Sequence, residues 1–245
     1  MTLPALLDGG GRVVLVAGAA GGIGRATLAL FKQAGASTCA FDLRPREAQP
    51  DADLVVVGDA ASEADVARAV AETTTSFGRI DWVVNAVGVT GFGPLEATSA
   101  DDWHRLLGIN LDSAFFLARA ARPELKKNRG ALVLMSSSNA INGGSAVSGA
   151  AYAVAKAGLL NLSRYLAKEW APDRIRVNCV APGPVATPML DRLDAAAHAA
   201  LIAAIPLKRY AEAAEVAAVI GFLCSSGAAS MTGTCINVSG GLVLD

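Results

Sequence analysis

The sequence predicts an α/β protein: a doubly wound parallel sheet of about seven strands with helices on both faces, folded as a single domain over residues 1–245. Three observations predict it. Short apolar runs alternate along the chain with longer helical patterns, the signature of a parallel sheet built from right-handed crossovers. The first run, Arg12 to Ala17, reads Val-Val-Leu-Val and is apolar on both faces, as a strand buried between two helical layers has to be. At 53% hydrophobic residues a chain of 245 fills a sizeable core, and no internal repeat, low-complexity tract or linker divides it.

The elements follow in order. A helix from about Gly22 to Ala34 leads to a second strand, Ser37 to Phe41, and a third, Asp53 to Val57. Ser62, with Asp65 three residues on, caps a helix that runs to about Phe77. Ile80 to Val84 is the fourth strand. Ser99 and Asp102 repeat the capping pattern and open a long helix that Pro123 should end or kink. Ala131 to Met135 is the fifth strand. A helix around Tyr152 stops near Ala171-Pro172, and Arg174 to Val180 is the sixth strand. Pro182, Pro184 and Pro188 enforce an irregular loop. Helices at about Met189 to Ala204 and Glu212 to Ser225 precede a last strand, Thr234 to Val238. The region from about 183 to 210 interrupts the alternation for longest, and long excursions of this kind are often lids.

Composition excludes several function classes. The net charge is −1 with both signs scattered, so no basic field argues for nucleic acid. No apolar run approaches the roughly 20 residues of a membrane span, and Met1 to Gly11 lacks a basic start followed by an apolar core. Cys39, Cys179, Cys224 and Cys235 stand singly in apolar runs, without the paired spacing of a zinc site, and read as buried thiols in a reducing compartment. A cytoplasmic location and a small neutral partner are expected. His104 and His198 are isolated and read as surface residues, so no metal site is expected.

Two stretches carry chemistry. Tyr152-Ala-Val-Ala-Lys156 lies in an alanine- and leucine-rich helix, where residues four apart are neighbours. A close ammonium favours a phenolate and should pull the tyrosine below its ordinary value near 10. The chain has three tyrosines, and only this one has a lysine four residues on. Alone, such a pair is an ordinary surface pairing worth a few tenths of a kcal/mol. The second stretch follows the first strand directly: Ala17-Gly18-Ala-Ala-Gly-Gly22-Ile-Gly24, opening a helix whose free amides and positive dipole suit a pyrophosphate. Asp42, roughly 20 residues past the middle glycine, suits a carboxylate gripping the adenosine ribose diol. It would repel a 2′-phosphate. Arg44 and Arg46 lie just beyond, but the loop holds no Lys or Arg before Gly24, so NAD is favoured over NADP.

With these residues in order the chain resembles the short-chain dehydrogenase/reductase family, and the likeness covers nearly its whole length. Asn85-Ala-Val-Gly88 resembles the family's Asn-Asn-Ala-Gly segment, and Ile109-Asn110-Leu111 the segment carrying its helix asparagine. Arg176-Val-Asn178 and Pro182-Gly183-x-x-x-Thr187 resemble its cofactor-closing loop. Ala17 replaces a usual threonine, and Val87 replaces an alanine, adding bulk beside the expected nucleotide path. The family's serine normally stands 13 residues before the tyrosine, a place held here by Asn139. Counting from the fifth strand nominates Ser137, with Ser138 the alternative, and implies two extra residues between 139 and 149.

The resemblance implies a Rossmann-type fold and reversible hydride transfer between NAD(H) and a small, largely apolar secondary alcohol or ketone. It makes Asn110, Ser137, Tyr152 and Lys156 catalytic. Tyr152 would exchange the proton, Lys156 would tune it and hold the nicotinamide ribose, Ser137 would bond the reacting oxygen, and Asn110 would organise a water relay. The cofactor-binding set is Gly18, Gly22, Ile23, Gly24, Asp42, Leu43, Asp59, Ala60, Asn85, Gly88, Tyr152, Lys156, Pro182, Gly183, Val185 and Thr187. A homo-oligomer, dimer or tetramer, is implied. The alternatives are an NADP-dependent 3-oxoacyl carrier-protein reductase and a dinucleotide-binding regulatory protein without the chemistry. Met189, Leu190, Leu193, Leu201 and Ile202 suggest an apolar lid, and the C-terminal Leu242-Val-Leu244 is expected to pack.

Overall fold

In a computed structural model, which describes residues 7–44, 49, 51–145 and 147–244, nine strands and eight helices are seen. The strands are β1 (Val13–Ala17), β2 (Ser37–Asp42), β3 (Leu54–Val57), β4 (Trp82–Asn85), β5 (Ala131–Met135), β6 (Arg176–Pro182), β7 (Val185–Ala186), β8 (Ala211–Glu212) and β9 (Cys235–Val238). The helices are α1 (Gly22–Gln33), α2 (Glu63–Phe77), α3 (Ala100–Leu107), α4 (Ser113–Asn128), the short α5 (Asn139–Asn142), α6 (Ala150–Trp170), α7 (Ala195–Ala204) and α8 (Ala213–Cys224).

Seven strands pair in parallel in the order β3-β2-β1-β4-β5-β6-β9. Pleating divides β1 between two cores. Val14 and Val16 face Leu28 and Phe31 of α1 and Val216 and Ile220 of α8, while Leu15 and Ala17 face the side of Leu117 from α4 and Leu159 from α6. The chain lays β2 and β3 on one side of β1 and then crosses to lay β4 on the other. This reversal opens a crevice at the carboxyl ends of β1 and β4, where open parallel sheets bind ligands. Ala17 and Asn85 are register partners there.

Ser62 and Ser99 cap α2 and α3, each hydroxyl accepting from the amide three residues on, Asp65 N at 3.3 Å and Asp102 N at 3.1 Å. Pro123 does not end its helix. The helix runs through it to Asn128, because the one bond lost to the Arg119 carbonyl is outweighed by the buried stripe Leu117, Ala118, Ala121 and Leu125 on either side. The long helix is interrupted instead at Gly108–Asp112, a π turn. The stretch 189–204 is also not one helix: a 3₁₀ turn, Pro188–Leu190, stands apart from α7, which Asp194 caps. Within the proline loop, β7 and β8 form a second, two-stranded parallel sheet that periodicity does not reveal. Val243 packs, bonding Ser239 and Asn237, but Leu244 is exposed, against the expectation for the C-terminus. Among the described residues no helix is long and apolar enough to cross a membrane.

Candidate active site

The glycine loop is shaped by close approach. Gly18 has φ +74°, and a Cβ there would lie 2.7 Å from the Ala86–Val87 backbone after β4. A Cβ on Gly22 would strike the side chain of Thr187, and one on Gly24 the Gly18 carbonyl. The start of α1 has no capping side chain and no acidic residue in its first turn, so the amides of Gly22, Ile23 and Gly24 have no intrahelical partner. This cradle fits the diphosphate of a dinucleotide. Asp42 closes it: Oδ2 accepts from Ala20 N of the loop at 3.0 Å, and Oδ1 accepts from Arg44 N at 3.1 Å and Arg44 Nε at 3.3 Å. Leu43 beside it is exposed, and Arg46 lies outside the described residues. Asp59 is exposed past β3, bonding Ala61 N, with Ala60 half-buried against the core.

The helix bearing the reactive pair buries the stripe Tyr152, Lys156, Leu159, Ser163 and Leu166, one face at helical spacing. Ser136 ties this helix to the end of β5, its Oγ donating to the Lys156 carbonyl at 2.7 Å. The Lys156 ammonium is fully enclosed and donates to the carbonyls of Val87 at 2.9 Å and Met135 at 2.8 Å, using two of its three donors. Burial pushes its pKa down to about 8. It lies 5.6 Å from the centroid of the Tyr152 ring.

The expected lowering of the Tyr152 pKa is corrected by this arrangement. Burial raises it above its ordinary value, and Ser137 and the charge of Arg192 pull the other way. Of the candidate serines, Ser137 is the one that favours the Tyr152 anion, and its hydroxyl accepts from Asn139 N at 3.2 Å. Ser138 is buried at the start of α5, its amide donating to the Pro182 carbonyl at 2.8 Å and its own carbonyl accepting from Asn142.

Asn110 is fully buried in the π turn. Its Nδ2 donates to the carbonyls of Val89 at 2.8 Å and Leu106 at 2.9 Å, and its Oδ1 accepts from Val89 N at 3.1 Å. The side chain thereby pins the loop after β4. Gly88 fits between: a Cβ there would lie 3.3 Å from Lys156 Nζ and 3.6 Å from Asn110 Oδ1. The Asn85 carboxamide turns back to Val87 N (3.1 Å) and Ser113 Oγ (3.4 Å), so it shapes the turn beneath the crevice. Val87 is half-buried, one side packed against the core beneath the sheet end. On the far wall, Pro182 ends β6, Gly183 abuts Ser239, Val185 is buried in β7, and Thr187 overlies Gly22.

Two features escape sequence reasoning. Arg192, in the lid segment, donates to the carbonyls of Gly91 at 3.1 Å and Val147 at 2.6 Å. His198 is not a free surface residue: its Nδ1 is 2.8 Å from the Tyr210 hydroxyl, fastening α7 to the end of the lid. Of the cysteines, Cys235 is only half-buried, opposite Cys179 in register.

Residues 18–243 match the family model described as enoyl-(acyl carrier protein) reductase. The chain is 35% identical to a 3-oxoacyl-(acyl-carrier-protein) reductase of Thermotoga maritima, over 96% of its length and 98% of that protein's. It is 35% identical to a levodione reductase of Leifsonia aquatica, over 94% and 93%. The crystal structure of a Brucella melitensis short-chain dehydrogenase/reductase of glucose/ribitol dehydrogenase type superimposes with a TM-score of 0.91 at 35% identity, covering 97% of this chain and 99% of that one. Likeness this extensive means that the chain belongs to the short-chain dehydrogenase/reductase family and is an oxidoreductase that binds a nicotinamide dinucleotide.

Proposed function

We propose that this oxidoreductase transfers hydride reversibly between NAD(H) and a small, largely apolar secondary alcohol or ketone, with Tyr152 exchanging the proton. The observation that carries the reading is a buried phenol set between the Ser137 hydroxyl and the enclosed Lys156 ammonium, in the crevice that begins at the glycine cradle. When bound, the nicotinamide ring supplies or accepts the hydride. Ser137 bonds the substrate oxygen and orients it to the phenol. Lys156 has a third donor for a ribose hydroxyl, and its charge steadies the phenolate that forms as Tyr152 gives up its proton. Asn110 holds the loop bearing Gly88 and orders the water path behind Lys156. Asp42 supports NAD: a carboxylate at the end of β2 accepts from a ribose diol and repels a 2′-phosphate. Met189, Leu190, Leu193, Leu201 and Ile202, exposed or half-buried in the lid segment, support an apolar substrate. Exposed Phe115 on α4 and Val154 and Tyr165 on α6 support a homo-oligomer, dimer or tetramer, and the thiols support a cytoplasmic location.

A second reading, NADPH-dependent reduction of a 3-oxoacyl carrier-protein thioester, is favoured by Arg44, already paired to Asp42 at the diol position, and by the Thermotoga likeness. The experiment is a turnover screen over cyclic, aryl and hydroxy-acid alcohols and ketones and a 3-oxoacyl thioester, each with NAD(H) and NADP(H). Turnover of a neutral ketone with NADH supports the first reading. Turnover confined to the thioester with NADPH replaces it by the second.

A further inference from the structure

Arg192 stands between the turn at Pro188–Leu190 and α7, and its guanidinium joins three segments far apart in the chain. Nη1 donates to the Gly91 carbonyl at 3.1 Å and Nη2 to the Val147 carbonyl at 2.6 Å. Those two loops also hold each other: Gly91 N donates to the Ser148 carbonyl at 2.9 Å, and a Cβ on Gly149 would lie 3.2 Å from Phe92 N. One loop follows Gly88, and the other ends at Gly149, the cap of the helix that carries Tyr152. The lid residue therefore lies across both loops that frame the phenol. Beside it is a cavity of about 280 Å³ whose wall includes Phe92, Leu106, Gly149 and Arg192.

Few charged groups face this corner. Arg105 is bound to Asp102 at 3.0 Å across the cavity, which cancels its charge locally, and Lys156 approaches from beneath the ring. Arg192 gives its donors to the neutral carbonyls of Gly91 and Val147, with Asp191 and Asp194 flanking it in the chain. Its field favours the Tyr152 anion, against the desolvation that opposes it. A planar guanidinium can reach two carbonyls at once, which an ammonium on a single flexible stem does poorly.

We propose that Arg192 is a positioning residue: a strap that fastens the lid segment onto the two loops framing Tyr152 and keeps a fixed positive charge beside its phenol. The inference rests on reading Tyr152 as the proton-exchanging group.

The test compares the full-length wild type with Arg192→Met and Arg192→Lys, by amide hydrogen exchange and by the pH profile of kcat/KM for alcohol oxidation. In Arg192→Met, exchange at residues 89–92, 147–149 and 188–194 should quicken about tenfold while the central sheet is unchanged. The acidic limb of kcat/KM, along which oxidation gains the Tyr152 phenolate, should move to higher pH. Arg192→Lys should restore the limb, which needs only charge, but not the full protection, which needs the fork. Unaltered exchange in Arg192→Met overturns the strap. An unmoved limb, in an enzyme whose Tyr152→Phe variant has lost turnover, overturns the charge role. Exchange is read without substrate, so if Tyr152→Phe keeps its turnover the catalytic reading falls while the strap is still judged on its own.

Discussion

The Lys156 ammonium lies 5.6 Å from the centre of the Tyr152 ring, and two of its hydrogen bonds go to the carbonyls of Met135 and Val87. The two side chains share a helical face but divide the labour. Lysine is anchored to the carbonyls that follow β4 and end β5, and Ser137 favours the phenol's anion. Burial outweighs the groups that favour the anion and raises the Tyr152 pKa above its ordinary value.

Ser137, rather than Ser138, should carry the substrate hydrogen bond. Ser137→Ala should lower kcat/KM about a hundredfold or more, the usual cost of losing one donor to a reacting oxygen, while Ser138→Ala changes it less than about threefold. Steady-state kinetics of the two variants decides it, and the reverse ranking would transfer the role to Ser138.

Lys156 should leave a mark on stability. Its pKa of about 8 in the folded protein lies below the ordinary 10.5. A lysine depressed in this way costs stability while both states are protonated, below about pH 8, and the cost fades as pH rises towards 10.5. Relative to Lys156→Met, the wild type should therefore gain stability between those values, read by denaturant unfolding at a series of pH. A difference between the two that stays flat over this window contradicts the depressed pKa.

Asp42 should decide the cofactor. Asp42→Ser removes the carboxylate that repels a 2′-phosphate and releases Arg44 to meet one. The NADPH to NADH ratio of kcat/KM should rise about 10- to 100-fold, the worth of one charged hydrogen bond gained or lost. If the ratio is unchanged, cofactor choice resides elsewhere.

Much of this was legible in the amino acids because it depends on local pattern. The all-apolar β1, the glycine cradle after it and the serine caps of α2 and α3 are set by neighbours within a few residues. The rest depends on tertiary partners. The π turn exists where Asn110 can bond Val89 across the loop, and no periodicity announces it. Pro123 is tolerated because buried residues flank it. Ser137 is distinguished from Ser138 by its effect on the phenol, and Arg192 by carbonyls 101 and 45 residues away. Spacing places lysine and tyrosine on one face without giving the desolvation each suffers, and it is burial that sets the direction of both pKa shifts.

The most direct test of the account is Tyr152→Phe, assayed for NAD-linked turnover and, separately, for NADH binding by fluorescence. Turnover should fall at least about a hundredfold, the usual share of a positioned acid–base group, with binding within a few-fold of wild type. Near-normal turnover in that variant would contradict it.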